Sequence, residues 1–322
     1  MKMTSKAVSL ALAGAIVTAL CFGGSALAAE KTYTVGVCQL VQHVALDAAT
    51  QGFSDVLKET FGDAVTIDVQ NAQNDTATCA TIINGFVSGG VDLIMANATP
   101  ALQAAQAGTG EIPILGTSVT EYGVALGIKD FKGLVGGNVS GTSDLAPLSE
   151  QAAMVKELFP GAKKVGLLYC SSEANSQYQV DTVKGFLEEL GYECAFFAFS
   201  DSNDLASVTT NAAADSDVIY VPTDNTVAAN TSIIDNICRP AKIPVIAGEE
   251  GICSGCGVAT LSISYYDLGV GTGRMAVKIL KGEAKVSEMP IEYAPQVTKK
   301  YNKEIAADLG VAIPADYAAI GE

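Results

Sequence analysis

Residues 91–102 read VDLIMANATPAL: apolar, strand-forming side chains, then a polar break at Asn97-Ala98-Thr99, then Pro100 ahead of a helix-forming stretch. Proline has no amide hydrogen to leave unpaired and suits the first helical position, so the chain passes from strand to helix within three residues. Such a junction is the repeating unit of a parallel sheet covered by helices. Upstream, the pattern predicts strands at 33–38 and 65–69, with helices to about 60 and over 76–88. Downstream, a helix over 99–107 leads to a strand at 112–115.

After Gly136-Gly137-Asn138 the rhythm starts again. Helix 149–159 precedes strand 165–169, followed by helix 175–190, strand 192–199, helix 204–213, strand 218–221, helix 226–238 and strand 243–247. The expected fold class is α/β, with two Rossmann-like lobes, each a parallel sheet flanked by helices. A strand at 258–263, a helix at 267–281 and an extended stretch at 291–297 are left over. Three hinge crossovers between lobes would accommodate them, near 138–144, 262–266 and 289–293. The boundaries expected are 1–28 for a signal peptide, 29–138 with 265–289 for the first lobe, and 139–264 with 290–322 for the second.

Open parallel sheets bind ligands beyond the carboxyl ends of their strands. There the apolar strands end in polar clusters: 39–43, 97–100, 117–120, 171–176, 222–225 and 249–250. Helix starts at Thr99, at Asn175-Ser176 and at Asp224 or Asn225 offer unpaired N–H groups and a partial positive charge, a seat for a carboxylate. Asp224, Glu173 and Glu249 offer the opposite sign for an ammonium group. One Ser, Thr, Asn or Asp at a helix start is ordinarily a cap, but runs of four at one edge of two sheets exceed what capping needs. The pattern describes a site for a zwitterion such as an amino acid. His43 follows the first strand at that edge, with Asp47 one helical turn away, and could serve as a contact, a gate or a structural hydrogen bond. The chain has no Trp, so any stacking on the ligand falls to Tyr122, Tyr178, Tyr265 or Tyr266.

The N-terminus has the order of a secretory signal: Lys2 and Lys6, an apolar run over 7–22, and small residues ending Ala26-Leu27-Ala28, with cleavage expected after Ala28. Cys21 offers a rival reading as a lipid-anchored cysteine, but Leu20 stands before it where such signals want a small residue. Losing Lys2 and Lys6 leaves 17 of the 19 basic residues against 35 acidic ones, and 17 − 35 = −18. That charge repels phosphate backbones, so nucleic acid is excluded as a partner. Seven cysteines remain in the mature chain, an odd number in a compartment that permits disulfides. Cys253-Ser254-Gly255-Cys256 closes a glycine-rich turn and reads as contributing to a structural bridge rather than to redox chemistry, and Cys238 with Cys256 is the expected bridge. With one histidine in the chain, no metal site is expected.

The strings VGVCQLVQHVALDAATQGF, NAQND, DLIMANATPALQAAQ, NVSGTSDL, GLLYCSSEANS, IYVPTDNTVA and YYDLGVGTGRMAVKILKG occur in this order. As a set they resemble the substrate-binding proteins of ABC importers in the tryptophan and aromatic amino-acid uptake group, over 33–314. The resemblance implies the hinged type I periplasmic-binding-protein fold. It also implies a ligand held between Thr99 and the Ser118-Val119-Thr120 loop on one lobe and Glu173, Asn175, Ser176, Thr223, Asp224 and Asn225 on the other. Two departures stand near the ligand's side chain: Glu121-Tyr122 replace a common Asp-Pro pair, and Asn97 occupies a commonly apolar place. The partners implied are an amino acid and an importer permease with its ATPase, the receptor acting as a monomer.

An enzyme is disfavoured: His43 is the only imidazole, and no serine stands in a G-x-S-x-G elbow. Gly269-Val-Gly-Thr-Gly273 invites a dinucleotide reading but lacks the final glycine spacing, and helix packing accounts for it better. No cofactor is therefore expected. A sensor for another small solute (purine, sugar or carboxylate), docking on a membrane receptor, stays open, because both kinds of partner would read the closed lobes from outside.

Overall fold

The computed structural model describes residues 31–294 and 296–321. The expected signal peptide, the position after Ala28 and Cys21 lie outside them. Among the described residues no helix is long and apolar enough to cross a membrane.

The chain begins β1 (Tyr33–Gln39), α1 (Val44–Phe61), β2 (Val65–Asn71), α2 (Thr76–Gly89), β3 (Leu93–Asn97), α3 (Thr99–Gly108), β4 (Ile114–Val119), α4 (Tyr122–Leu126) and β5 (Val139–Ser143). It continues α5 (Leu148–Leu158), β6 (Lys164–Cys170), α6 (Ala174–Glu189), β7 (Glu193–Phe199), α7 (Ser202–Asp215), β8 (Val218–Val221), α8 (Asn225–Ala228), α9 (Thr231–Ala241), β9 (Val245–Ala247), α10 (Glu250–Cys256) and β10 (Ala259–Ser262). It ends with α11 (Tyr265–Leu280), β11 (Glu292–Tyr293), β12 (Thr298–Tyr301), α12 (Lys303–Leu309) and β13 (Ala318–Ala319).

One sheet has the order β11-β5-β4-β3-β1-β2 and the other β13-β12-β10-β9-β8-β6-β7. All pairs are parallel except β10 with β12. The central strands are buried on both faces, β3 and β4 along their whole length. Helices on both sides of a parallel sheet require this, and it explains why these strands read as apolar runs without alternation.

Sheet membership differs from the sequence expectation at two strands. β5, assigned to the second lobe, pairs with β4 through Ile114↔Val139, and β11 pairs with β5 through Glu292↔Thr142. The chain therefore leaves the first sheet after Ser143, returns between Ser262 and Tyr265, and leaves again after Tyr293. The expected helix 226–238 is two helices, α8 and α9. The Cys253–Cys256 segment is the helix α10, not a turn, and the expected Cys238–Cys256 bridge is absent, with all seven described cysteines free. Cys238, Cys253 and Cys256 pack as small apolar side chains in one core cluster, and the Cys256 thiol donates to the Ile252 carbonyl at 3.4 Å.

α11 packs along α1, and three glycines set the spacing. A Cβ on Gly269 would stand 2.0 Å from the Ala49 carbonyl oxygen, one on Gly52 2.2 Å from that of Tyr266, and one on Gly273 2.8 Å from Val56. The Gly269–Gly273 repeat is thus a helix-contact stripe, and it holds Tyr265 at the first-sheet end of the crossing. Gly269→Ala is expected to cost about 1–3 kcal/mol through overpacking, read as a lower urea midpoint with unchanged slope.

Candidate functional site

Both sheets present their strand ends to a common cavity. One wall carries His43, Leu46, Ser118, Thr120, Asp144 and Tyr265, and the other Asn175, Thr223, Asp224, Asn225, Ala228 and Glu249. The space left is about 10 Å³, room for roughly one water. The walls touch: His43 Nε2 lies 3.3 Å from Asn225 Oδ1, and Asn74 Nδ2 donates to Thr226 Oγ1 at 2.9 Å.

Local structure positions the first wall. Gln39, ending β1, donates to Asp47 and accepts from Thr50, while Asn97, ending β3, donates to the Leu46 carbonyl and to Thr50. Both fasten the first turns of α1. Asn97, expected near the ligand's side chain, serves as this anchor. Ser118 breaks the β4–β5 register with a left-handed φ of 53°, and Ala98 has φ 93°; non-glycine residues rarely adopt either, and such strain concentrates at binding sites. Asp144, directly after β5, accepts from Tyr265 Oη at 2.9 Å through Oδ2.

On the second wall Asp224 caps α8. Its Oδ2 accepts from Cys170 N at 2.7 Å and its Oδ1 from Val227 N at 2.9 Å. Glu249 caps α10, accepting from Gly251 N at 2.6 Å and from Ile252 N. Glu173 is enclosed by five donors. Oε1 accepts from Thr226 N and Oγ1 at 2.9 and 2.8 Å, and Oε2 from Asn225 N and Nδ2 at 3.0 and 2.7 Å and from Asn175 Nδ2 at 3.2 Å.

Eight of the twelve expected residues line the cavity: His43, Ser118, Thr120, Asn175, Thr223, Asp224, Asn225 and Glu249. Four do not. Thr99 is buried in the first turn of α3, Val119 packs in the apolar core, Ser176 is buried behind Asn175, and Glu173 is consumed by its donors. The sequence reading missed Asp144, Leu46 and Ala228 as site residues and held Tyr265 only as a stacking candidate. The signal for Asp144 was legible as the one acid of the first crossing, NVSGTSDL. Tyr122 is buried, with its hydroxyl donating to the Thr142 carbonyl, and does not reach the cavity.

The cavity is lined by acids. Asp144, Asp224 and Glu249 are each at most 3% exposed, and no Lys or Arg lines the walls. Burial raises all three carboxyls: Asp144 upward, Glu249 to about 7 and Asp224 to about 8, with nearby Glu173 adding to the rise at Asp224. Backbone N–H donors oppose the rise at both caps. Four buried polar atoms of the lining have no partner: His43 Nδ1, Ser118 Oγ, Asp144 Oδ1 and Asn175 Oδ1. Buried polar atoms are rarely left so, and this set is ready for a ligand that donates hydrogen bonds and carries positive charge.

A larger cavity of about 580 Å³ adjoins it, sharing Glu249 and Tyr265. Its apolar wall comes from Val44, Ala45, Ala48, Ile263 and Ala294, and at its polar end Glu250 accepts from Ser262 and Lys300.

Residues 34–319 match the model of the ABC transporter substrate binding protein family. The chain belongs to that family. A tyrosine-binding protein of Clostridioides difficile (strain R20291) is 39% identical over 265 residues, 81% of this chain and 76% of the relative. The crystal structure of an ABC domain in complex with L-Trp from Streptococcus pneumonia has a TM-score of 0.84 at 34% identity, covering 88% of this chain and 97% of that one. A substrate-binding protein with adhesive properties from Clostridium difficile, in its ligand-free, open structure, has a TM-score of 0.68 at 38% identity, covering 90% and 99%. At similar identity this member of the family matches the L-Trp complex better than the open form, in keeping with walls that touch across the cavity.

The raised carboxyls have a consequence for stability. Between the unfolded-chain values near 4 and the folded values near 7 to 8, the native state holds more protons than the unfolded one. Stability therefore falls as pH rises through that window. For Glu249, from 4.5 to about 7, the effect is of order 3 kcal/mol. Without ligand, Tm is expected to drop by roughly 5 °C or more from pH 5 to pH 8, and Glu249→Gln is expected to flatten that slope whatever its baseline Tm.

Proposed function

We propose that this protein is the exported receptor of an ABC importer and binds an aromatic amino acid, tyrosine or tryptophan, between two lobes. The lobes take residues 32–143 with 265–293 and residues 145–262 with 296–321, and swing about the three crossings. The carrying observation is the buried cavity lined by three carboxyl groups and four unpartnered polar atoms, with no Lys or Arg among its walls. An α-ammonium group supplies the missing charge and up to three donors.

Within the site, Asp144 is the principal counter-charge. Its Oδ1 is unpartnered, whereas both oxygens of Asp224 are occupied by backbone N–H groups. Ser118, whose Oγ is buried and unpartnered on the cavity wall, suits the ligand carboxylate. The aromatic preference is supported by the relatives and by the adjoining cavity, where an apolar wall and a polar end match a phenol or indole ring.

The receptor acts as a monomer, releases its guest unchanged, and presents the closed lobes to the permease and its ATPase. Ligand binding thus draws a pre-existing equilibrium toward closure. In a thermal-shift screen of the mature protein, L-tyrosine and L-tryptophan are expected to raise Tm and the desamino acid 3-(4-hydroxyphenyl)propionate to have no effect. A response confined to sugars or purines would reject the assignment. Asp144→Asn is expected to weaken tyrosine binding by calorimetry about 10- to 100-fold, the worth of a charged hydrogen bond, with far-UV circular dichroism unchanged.

A further inference from the structure

We propose that His43 is a specificity-determining residue that offers the ligand an acceptor nitrogen, and that Glu173 is the positioning residue that makes it one, acting through Asn225 across the interface between the two walls. This rests on the amino-acid reading above.

Glu173 accepts from five donors, which between them occupy both of its oxygens. Asn225 Nδ2, 2.7 Å from Oε2, is one of those donors, so the Asn225 amide has a single orientation, with Oδ1 turned toward His43. An amide oxygen only accepts. The proton of a neutral His43 ring is therefore on Nε2, 3.3 Å away, and Nδ1 is left with a free lone pair. Nδ1 is buried and unpartnered in a residue that lines the cavity. Burial also disfavours the imidazolium, which would have no acceptor nitrogen.

The relay crosses from one wall to the other. His43 stands at the start of α1 on the first sheet, whereas Asn225 opens α8 on the second. The same carboxylate holds Thr226, whose Oγ1 accepts from Asn74 of the first wall at 2.9 Å. One buried acid thus orients Asn225 and Thr226, two side chains that meet the opposite wall. The acceptor is complete only when the walls meet, so a ligand that donates to Nδ1 favours the closed form, while a ligand presenting an acceptor there is rejected.

The chain has a single histidine, so 15N-histidine labelling gives one imidazole to observe. In the wild-type protein saturated with L-tyrosine, the ring is expected as the Nε2–H tautomer with Nδ1 unprotonated. Glu173→Gln puts an amide in place of the carboxylate and lets Asn225 turn over. It is expected to move the ring toward Nδ1–H and to weaken L-tyrosine about tenfold, one hydrogen bond's worth. A wild-type complex with the Nδ1–H tautomer overturns the relay and leaves the amino-acid reading standing, and needs no variant to fold. A folded Glu173→Gln with unchanged tautomer and affinity also overturns it. Failure of the wild type to bind tyrosine, tryptophan or any other amino acid overturns the reading on which it rests.

Discussion

Three carboxylates taken out of water without a cation are the constraint around which the site is built. Asp144 sits at a crossing between the sheets, and Asp224 and Glu249 at strand ends of the second. An ionised carboxyl so deeply buried is costly unless paired. Backbone N–H groups at two short helix starts meet part of that cost for Asp224 and Glu249, and the Tyr265 hydroxyl part of it for Asp144. The remainder falls to a positively charged guest. That guest gains most when the walls are closest, because attraction strengthens as water is excluded. Chemical selectivity and closure are in this sense one effect.

The fold supports that effect through its three crossings. The first two pass beside the site, at Asp144 and Tyr265, so the polar edges are held in register there by the chain itself. Asp144 follows β5 immediately, and Tyr265 opens α11 immediately after the second crossing. Their hydrogen bond joins two of the three passages. The glycine stripe on α11 draws that helix against α1, and α1 in turn carries His43 at its start. Close helix packing therefore reaches the site without any residue of the stripe touching the ligand.

The sequence made the βα junctions legible because each is local: an apolar run, a polar break and a helix start. It could not assign β5 and β11 to the first sheet, since pairing of Val139 with Ile114 and of Glu292 with Thr142 depends on residues distant in the chain. Nor could it sort the acids. Glu173 reads as a partner for the ammonium group and Asp144 is passed over, yet the first meets five donors and the second keeps an oxygen unpartnered. What separates them is the set of N–H groups that folding brings near. The cysteines show the same limit: Cys238 and Cys256 do lie on neighbouring helices, but as packed thiols in an apolar cluster.

The central claim is that the buried carboxyls surrender protons when an ammonium group arrives. Titration calorimetry with L-tyrosine near pH 6.5, in buffers of differing ionisation enthalpy, measures this directly. With Glu249 at about 7 and Asp224 at about 8 before binding, the account predicts an apparent enthalpy that varies with the buffer in the sense of net proton release. An enthalpy independent of buffer, or net proton uptake, would contradict it.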